Sequence, residues 1–337
     1  MKRYRKEQDG KLEVGQVLYT KRFVLTLDRN LCKGCELCKL VCPREAITLI
    51  PQEDADGKAI APLMDVDENK CDFHGICAVA CPFSAIRINM NGSEELPAVR
   101  SKVFPTLLRD IKVDDTKCKV GCKRCEETCP LGIVSVGCSG RKGKDGEPAV
   151  TAFAGSQPSG SESADNGSSI NEHVDGESAV LDSPTPEPAD PASSVTIQTD
   201  LCAGCQICWM ECPADAIEVS KFIEGSIRID PDACPAGCRR CLDVCPVNAL
   251  ALNGDHKVFA KDLNCIYCGA CLQVCPSHDA LKIDRTAIRH TPVDSGAWHK
   301  GLEKLTSTAG LMRELGAERT GRAREVIQSL NLSEEND

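Results

Sequence analysis

The chain has 337 residues and a formal net charge of −10 at pH 7; 24 residues are cysteine and only 4% are aromatic. The charged opening, MKRYRKEQDG, has no apolar stretch behind it and no segment approaches a membrane span, so neither a secretory leader nor membrane insertion is expected. So many thiols in a chain expected to be cytoplasmic point to metal binding rather than to disulfides. Ten acidic residues and no Lys or Arg fall between 145 and 195; the rest is near neutral, which argues against a nucleic-acid partner.

Residues 1–19 read as an N-terminal extension. FVLTLD then leads into the first cysteine run, CKGCELCKLVCP (32–43), and AITLI follows it. APLMDVD precedes CDFHGICAVACP (71–82) and AIRIN follows; RDIKVD precedes CKVGCKRCEETCP (118–130) and GIVSV follows. Residues 141–193, rich in Ser, Gly, Pro, Asp and Glu, are expected to be disordered. VTIQT resumes the pattern before CAGCQICWMECP (202–213) and AIEVS; SIRID and ALALN bracket CPAGCRRCLDVCP (234–246); KVFAKD and ALKID bracket CIYCGACLQVCP (265–276). The flanking stretches predict short strands, and segments such as CKLVC and CLQVC predict the first turn of a short helix. From about 295, Leu302, Leu305, Leu311, Leu315, Ile327 and Leu330 recur at helical spacing, as in a helix that caps its own domain or docks a partner.

Six recurrences of one unit define an array. The expected fold class is α+β: three two-cluster ferredoxin domains of the bacterial type. They cover 20–92, then 93–140 with 194–222 around the acidic linker, and 223–285, with a C-terminal helical docking segment at 286–337. Units this small bury little apolar surface and need covalent staples.

Three closely spaced cysteines can wrap one face of a [4Fe-4S] cluster, while a fourth followed by proline ligates the neighbouring cluster. Zinc takes two separated pairs and has no use for a third close cysteine. Crossing the fourth cysteines within each domain gives six sets. The first holds Cys32, Cys35, Cys38 and Cys81; the second Cys71, His74, Cys77 and Cys42. The third holds Cys118, Cys122, Cys125 and Cys212; the fourth Cys202, Cys205, Cys208 and Cys129. The fifth holds Cys234, Cys238, Cys241 and Cys275; the sixth Cys265, Cys268, Cys271 and Cys245. Six clusters need about 24 ligands; all the cysteines but Cys138, with His74, supply that number. Runs three and five carry an extra residue in the first gap, with Gly121 and Gly237 before the second cysteine.

His74 stands where a thiolate is expected. An imidazole ligand removes a negative charge and accompanies raised potentials in Rieske centres. The alternatives are a three-cysteine site with a [3Fe-4S] or labile cluster, or a surface histidine. Cys138 reads as a small buried apolar residue, and His173, His256, His278, His290 and His299 as surface groups. No dinucleotide fingerprint, Walker loop or nucleophile signature occurs, so the chain alone is expected to catalyse nothing.

Beyond the runs, VDENKCDFHGICAVACPFSAI and the connector PAVRSKVFPTLLRDI (97–111) resemble the polyferredoxin subunit of formylmethanofuran dehydrogenase, the tungsten or molybdenum complex of methanogenesis. The resemblance implies a polyferredoxin relaying electrons to a subunit that reduces carbon dioxide to formate, which a second site condenses with methanofuran. This chain departs from that pattern in having fewer runs, His74 and the acidic insert. A relay of a hydrogenase or heterodisulfide reductase complex stays open, as does an enzyme with its own catalytic cluster at His74.

Overall fold

The computed structural model describes residues 2–138, 193–277, 279–294 and 296–307, together with 312, 316 and 320. The acidic segment except Ser193, and also His173, His278, Leu311, Leu315, Ile327 and Leu330, lie outside the described residues.

All twelve flanking stretches are strands, and they pair across the runs two by two. The strand before the first run, β3 (Arg22–Asp28), lies antiparallel to β6 (Ile86–Met90), which follows the second. Between the runs, β4 (Ile47–Glu53) pairs with β5 (Ala59–Val66). The next runs repeat this arrangement. There, β7 (Ile111–Val113) pairs with β10 (Ile217–Val219), and β8 (Val134–Cys138) with β9 (Ser193–Ile197). The last two runs lie between β11 (Ile223–Ile229) with β14 (Leu281–Ile288) and β12 (Leu250–Leu252) with β13 (Val258–Ala260). Cys138 ends β8, opposite Ser193.

Each run turns into a helix of four or five residues at its third cysteine: α1 (Leu37–Val41), α2 (Ile76–Val79), α4 (Arg124–Thr128), α5 (Ile207–Met210), α6 (Arg240–Asp243) and α7 (Ala270–Val274). They stop where the fourth cysteine meets proline, whose ring disfavours a helical residue before it.

Residues 2–17, read above only as an extension, instead form a hairpin. Strands β1 (Lys2–Gln8) and β2 (Lys11–Val17) join β3 and β6 in a four-stranded sheet ordered β1-β2-β3-β6. The turn is Asp9-Gly10, with φ of 51° and 70°, the positive values a type I′ turn requires. Leu12 and Val14 of β2 are fully buried.

The outer segments tie the units together. In the connector, α3 (Pro97–Arg100) leads to backbone that runs beside the extension of β14. The Leu108 amide donates to the Arg289 carbonyl (3.0 Å) and the Thr291 amide to the Thr106 carbonyl (2.9 Å). Helix α8 (Ala297–Leu305) buries Trp298, Leu302 and Leu305. Its Gly301 lies against Ile76 and Val41, so the apolar face of this helix packs on the first unit. One apolar core continues from Leu37 and Val41 to Ile266, Ala270 and Val274.

Candidate metal centres

One backbone device recurs in all six loops. The residue before the second ligand position has positive φ: Gly34, Phe73, Gly121, Gly204, Gly237 and Tyr267. At Gly34 (φ 63°) a Cβ would stand 2.4 Å from Pro62, so the loop there admits no side chain. Phe73 and Tyr267 accept the same strained conformation because burial holds them, at 2% and 4% exposure. His74 therefore sits at the loop position that a cysteine takes in the other runs.

The fourth cysteines share a second device. Three residues on, the chain takes positive φ at Glu45, Ser84, Asp215 and Asn248. The next residue is alanine, and its amide donates to sulfur: Ala46 to Cys42 (3.4 Å), Ala85 to Cys81 (3.4 Å), Ala216 to Cys212 (3.3 Å) and Ala249 to Cys245 (3.2 Å). Such N–H groups stabilise thiolate, the form that binds metal.

The structure brings the crossed cysteines together. Burial pushes the thiols of Cys32, Cys35 and Cys38 upward, and in each case Cys81 adds to the shift. Burial likewise raises Cys71 and Cys77, with Cys42 a shared neighbour. Cys118 interacts with Cys122 and Cys212, and Cys125 with Cys118 and Cys122. Burial drives Cys205 to about 11 and Cys208 to about 12, with Cys129 beside both. Cys241 rises to about 12 by burial and meets Cys238, Cys234 and Cys275. Burial takes Cys265 to about 11 and Cys268 to about 12, and both interact with Cys245, as does Cys271. Backbone N–H groups of Gly34, Phe73, Gly204 and Tyr267 oppose the rise at the first cysteines of their loops.

Two of these sets line small apolar hollows: Cys129, Cys202, Cys205 and Cys208 with Ile133 and Val219, and Cys245, Cys265, Cys268 and Cys271 with Ile227 and Ile283. Among the described residues no three His, Cys, Asp or Glu side chains converge as a single metal ion needs. Four soft thiols around an apolar hollow, with N–H groups on the sulfur, fit a [4Fe-4S] cluster.

His74 is half-buried, and burial lowers its imidazole pKa, favouring the neutral ring. The ring meets Phe104 of the connector edge-on, with centroids 6.1 Å apart. Its Nε2 is buried with no hydrogen-bond partner among the described residues. A buried polar atom left unpaired is costly. His290 does not stand free either: the Trp298 indole donates to its Nε2 at 2.9 Å.

Three cations missed by sequence reasoning lie where the units meet. The Arg109 guanidinium donates to the carbonyls of Pro82 (3.1 Å), Cys81 (3.4 Å) and Cys202, linking the first and fourth sets. Lys221 Nζ donates to the carbonyls of Asp262 and Cys265, both at 2.9 Å, and lies within electrostatic reach of Cys205, linking the fourth and sixth. Arg285, 6% exposed, donates to the Tyr267 carbonyl and to Glu36 Oε1 (2.7 Å each), while the Glu36 amide donates to the Cys268 carbonyl, linking the sixth and first. Arg109 falls in the connector, whose distinctiveness was its one sequence signal; Lys221 and Arg285 carried none.

Residues 31–85, 201–249 and 226–276 match the 4Fe-4S dicluster domain. A ferredoxin of Methanothermococcus thermolithotrophicus is 37% identical over 59 residues, 17% of this chain and 97% of that protein. The chain belongs to the ferredoxins of the 4Fe-4S dicluster type, which makes its bound groups [4Fe-4S] clusters. Its domains are polyferredoxin-like: the polyferredoxin MvhB of Methanothermobacter marburgensis is 30% identical over 108 residues, 29% of this chain and 25% of that one. Over most of the chain, the fold is similar to a chain of the formate dehydrogenase–heterodisulfide reductase–formylmethanofuran dehydrogenase complex of Methanospirillum hungatei. The TM-score is 0.68 at 27% identity, covering 91% of this chain and 92% of that one. Among the described residues no helix is long and apolar enough to cross a membrane.

Proposed function

We propose that this chain is the polyferredoxin subunit that carries electrons to the catalytic subunit of a formylmethanofuran dehydrogenase, through six [4Fe-4S] clusters in three two-cluster domains, the second of them interrupted by the acidic segment. The observation that carries this reading is the likeness, over 91% of this chain, to a chain of a complex holding that enzyme. The connector at 97–111 supports it, because it is the segment on which the family resemblance rests. The clusters supply one-electron capacity at low potential. The chain's own residues hold them with thiolates, exclude water around the enclosed sets and bring the first, fourth and sixth sets together. In the second set His74 is the fourth ligand, a reading supported by its buried Nε2, unpartnered among the described residues, at the loop position a cysteine takes in the other runs. A three-iron cluster on the three cysteines is the alternative there.

The same complex contains a heterodisulfide reductase, so a relay serving that enzyme is the second reading. Catalytic subunits purified without this chain decide between them. Formylmethanofuran dehydrogenase stripped of it should still react with a small dye that reaches its cofactor, yet lose exchange with its protein donor. Exchange at full rate would move the heterodisulfide reductase relay ahead.

A further inference from the structure

We propose that Arg109 and Lys221 are redox-tuning cations: fixed between the first, fourth and sixth cysteine sets, they raise the reduction potentials of the clusters held there. This rests on reading the sets as [4Fe-4S] sites. Both positive charges are immobilised. Arg109 is gripped by three backbone carbonyls and lies over the Phe222 ring at 5.1 Å. Lys221 is gripped by two carbonyls and lies over the Tyr267 ring at 5.0 Å. Among the described residues neither forms a salt bridge; Asp200 and Asp262 are the carboxylates within electrostatic reach of Arg109 and Lys221 respectively. Both are half-buried, where charges are screened less than in bulk water.

The third junction supplies the contrast. Arg285 is the most buried of the three cations, but Glu36 neutralises it, so the sixth-to-first contact gains no net charge from the pair. Arg109 and Lys221 are instead bonded to the cysteines' own backbone: carbonyls of Cys81, Cys202 and Cys265. Four thiolates around an oxidised core leave a site charge of roughly −2, and one added electron makes it about −3. A fixed cation beside the site favours the more negative state. Each uptake is one electron per cluster, [4Fe-4S]2+ becoming [4Fe-4S]+, with no bond made or broken. In the test a low-potential reductant such as dithionite supplies it and is oxidised. Electrons reaching the outer sets then collect where the three units meet.

The test is an anaerobic redox titration of the iron-loaded full chain, followed by electron paramagnetic resonance. Arg109→Gln should move two one-electron steps to more negative potential, Lys221→Gln should move two with one in common, and Arg109→Lys should restore the parent curve. A purely structural role would change unfolding but not potentials. Curves superimposable on the parent at unchanged iron content would overturn the proposal. Should Arg109→Gln lose iron, Lys221→Gln alone decides by the same criterion. A parent chain that holds zinc and gives no cluster signal overturns the proposed function itself, and this inference with it.

Discussion

The third and fourth cysteine sets hang from the same two strand pairs, yet they meet solvent differently. In the third, Cys118, Cys122 and Cys212 are partly exposed and only Cys125 is buried; in the fourth, Cys202, Cys205 and Cys208 are buried and only Cys129 is partly exposed. The extra residue in the first gap of run three accounts for the difference. Its loop turns outward at Gly121, where a Cβ would meet nothing within 4 Å among the described residues, and Val120 beside it is 56% exposed. The shorter loop of the fourth set lies against Ser220 and Phe222, the latter under Arg109. The fifth and sixth sets repeat the contrast: Gly237 is as open as Gly121, whereas Gly269 is pressed against Glu36. One residue of loop length thus separates sites open to solvent from sites built into the contacts between units.

The contrast breaks first, and most expensively, at the inner contacts. Glu36→Ala strands the buried Arg285 without its carboxylate and should cost about 3–5 kcal/mol in chemical denaturation. Asp72→Ala, which removes the exposed pair with Arg44, should change stability by less than about 1 kcal/mol. Equal losses would mean that the inner contact is no more important than a surface pair.

Glycine substitutions sharpen the loop argument. Gly34→Ala drives a Cβ into Pro62 and should strip iron from the first set. Gly121→Ala meets open space and should cost only the left-handed strain, about 1–2 kcal/mol, with iron content retained. Chelation is a gentler probe. Iron should leave in two phases, the third and fifth sets emptying before the enclosed ones; a single phase would contradict the exposure difference.

The second set stands outside the pairing, since its three cysteines are all buried. His74→Cys places an anionic thiolate where the neutral imidazole stands and should lower the potential of that one cluster. An unchanged spectrum and potential would show that His74 is no ligand.

The strands and short helices were legible because each carries its own period beside a fixed cysteine spacing. The crossing of fourth cysteines was legible in principle, because the proline after each fourth cysteine turns it away from its own run; Cys81 lies near Cys32, Cys42 near Cys71 and Cys129 near Cys202. The hairpin at 2–17 escaped notice because its β1 strand, KRYRKEQ, is almost wholly charged or polar, although Asp9-Gly10 was a turn signal. What covers α8 could not be read from its spacing: periodicity names an apolar face but not its partner, here α1 of the first unit. The junction cations were hidden for a similar reason, since their partners are backbone carbonyls, which leave no mark in side-chain patterns.

The most direct test of the central claim is the metal content of the full chain prepared without oxygen. Six cluster sites, one of them with three or four irons, predict about 23–24 irons per chain with matching acid-labile sulfide. About six metal ions per chain, all zinc and without sulfide, would contradict the account.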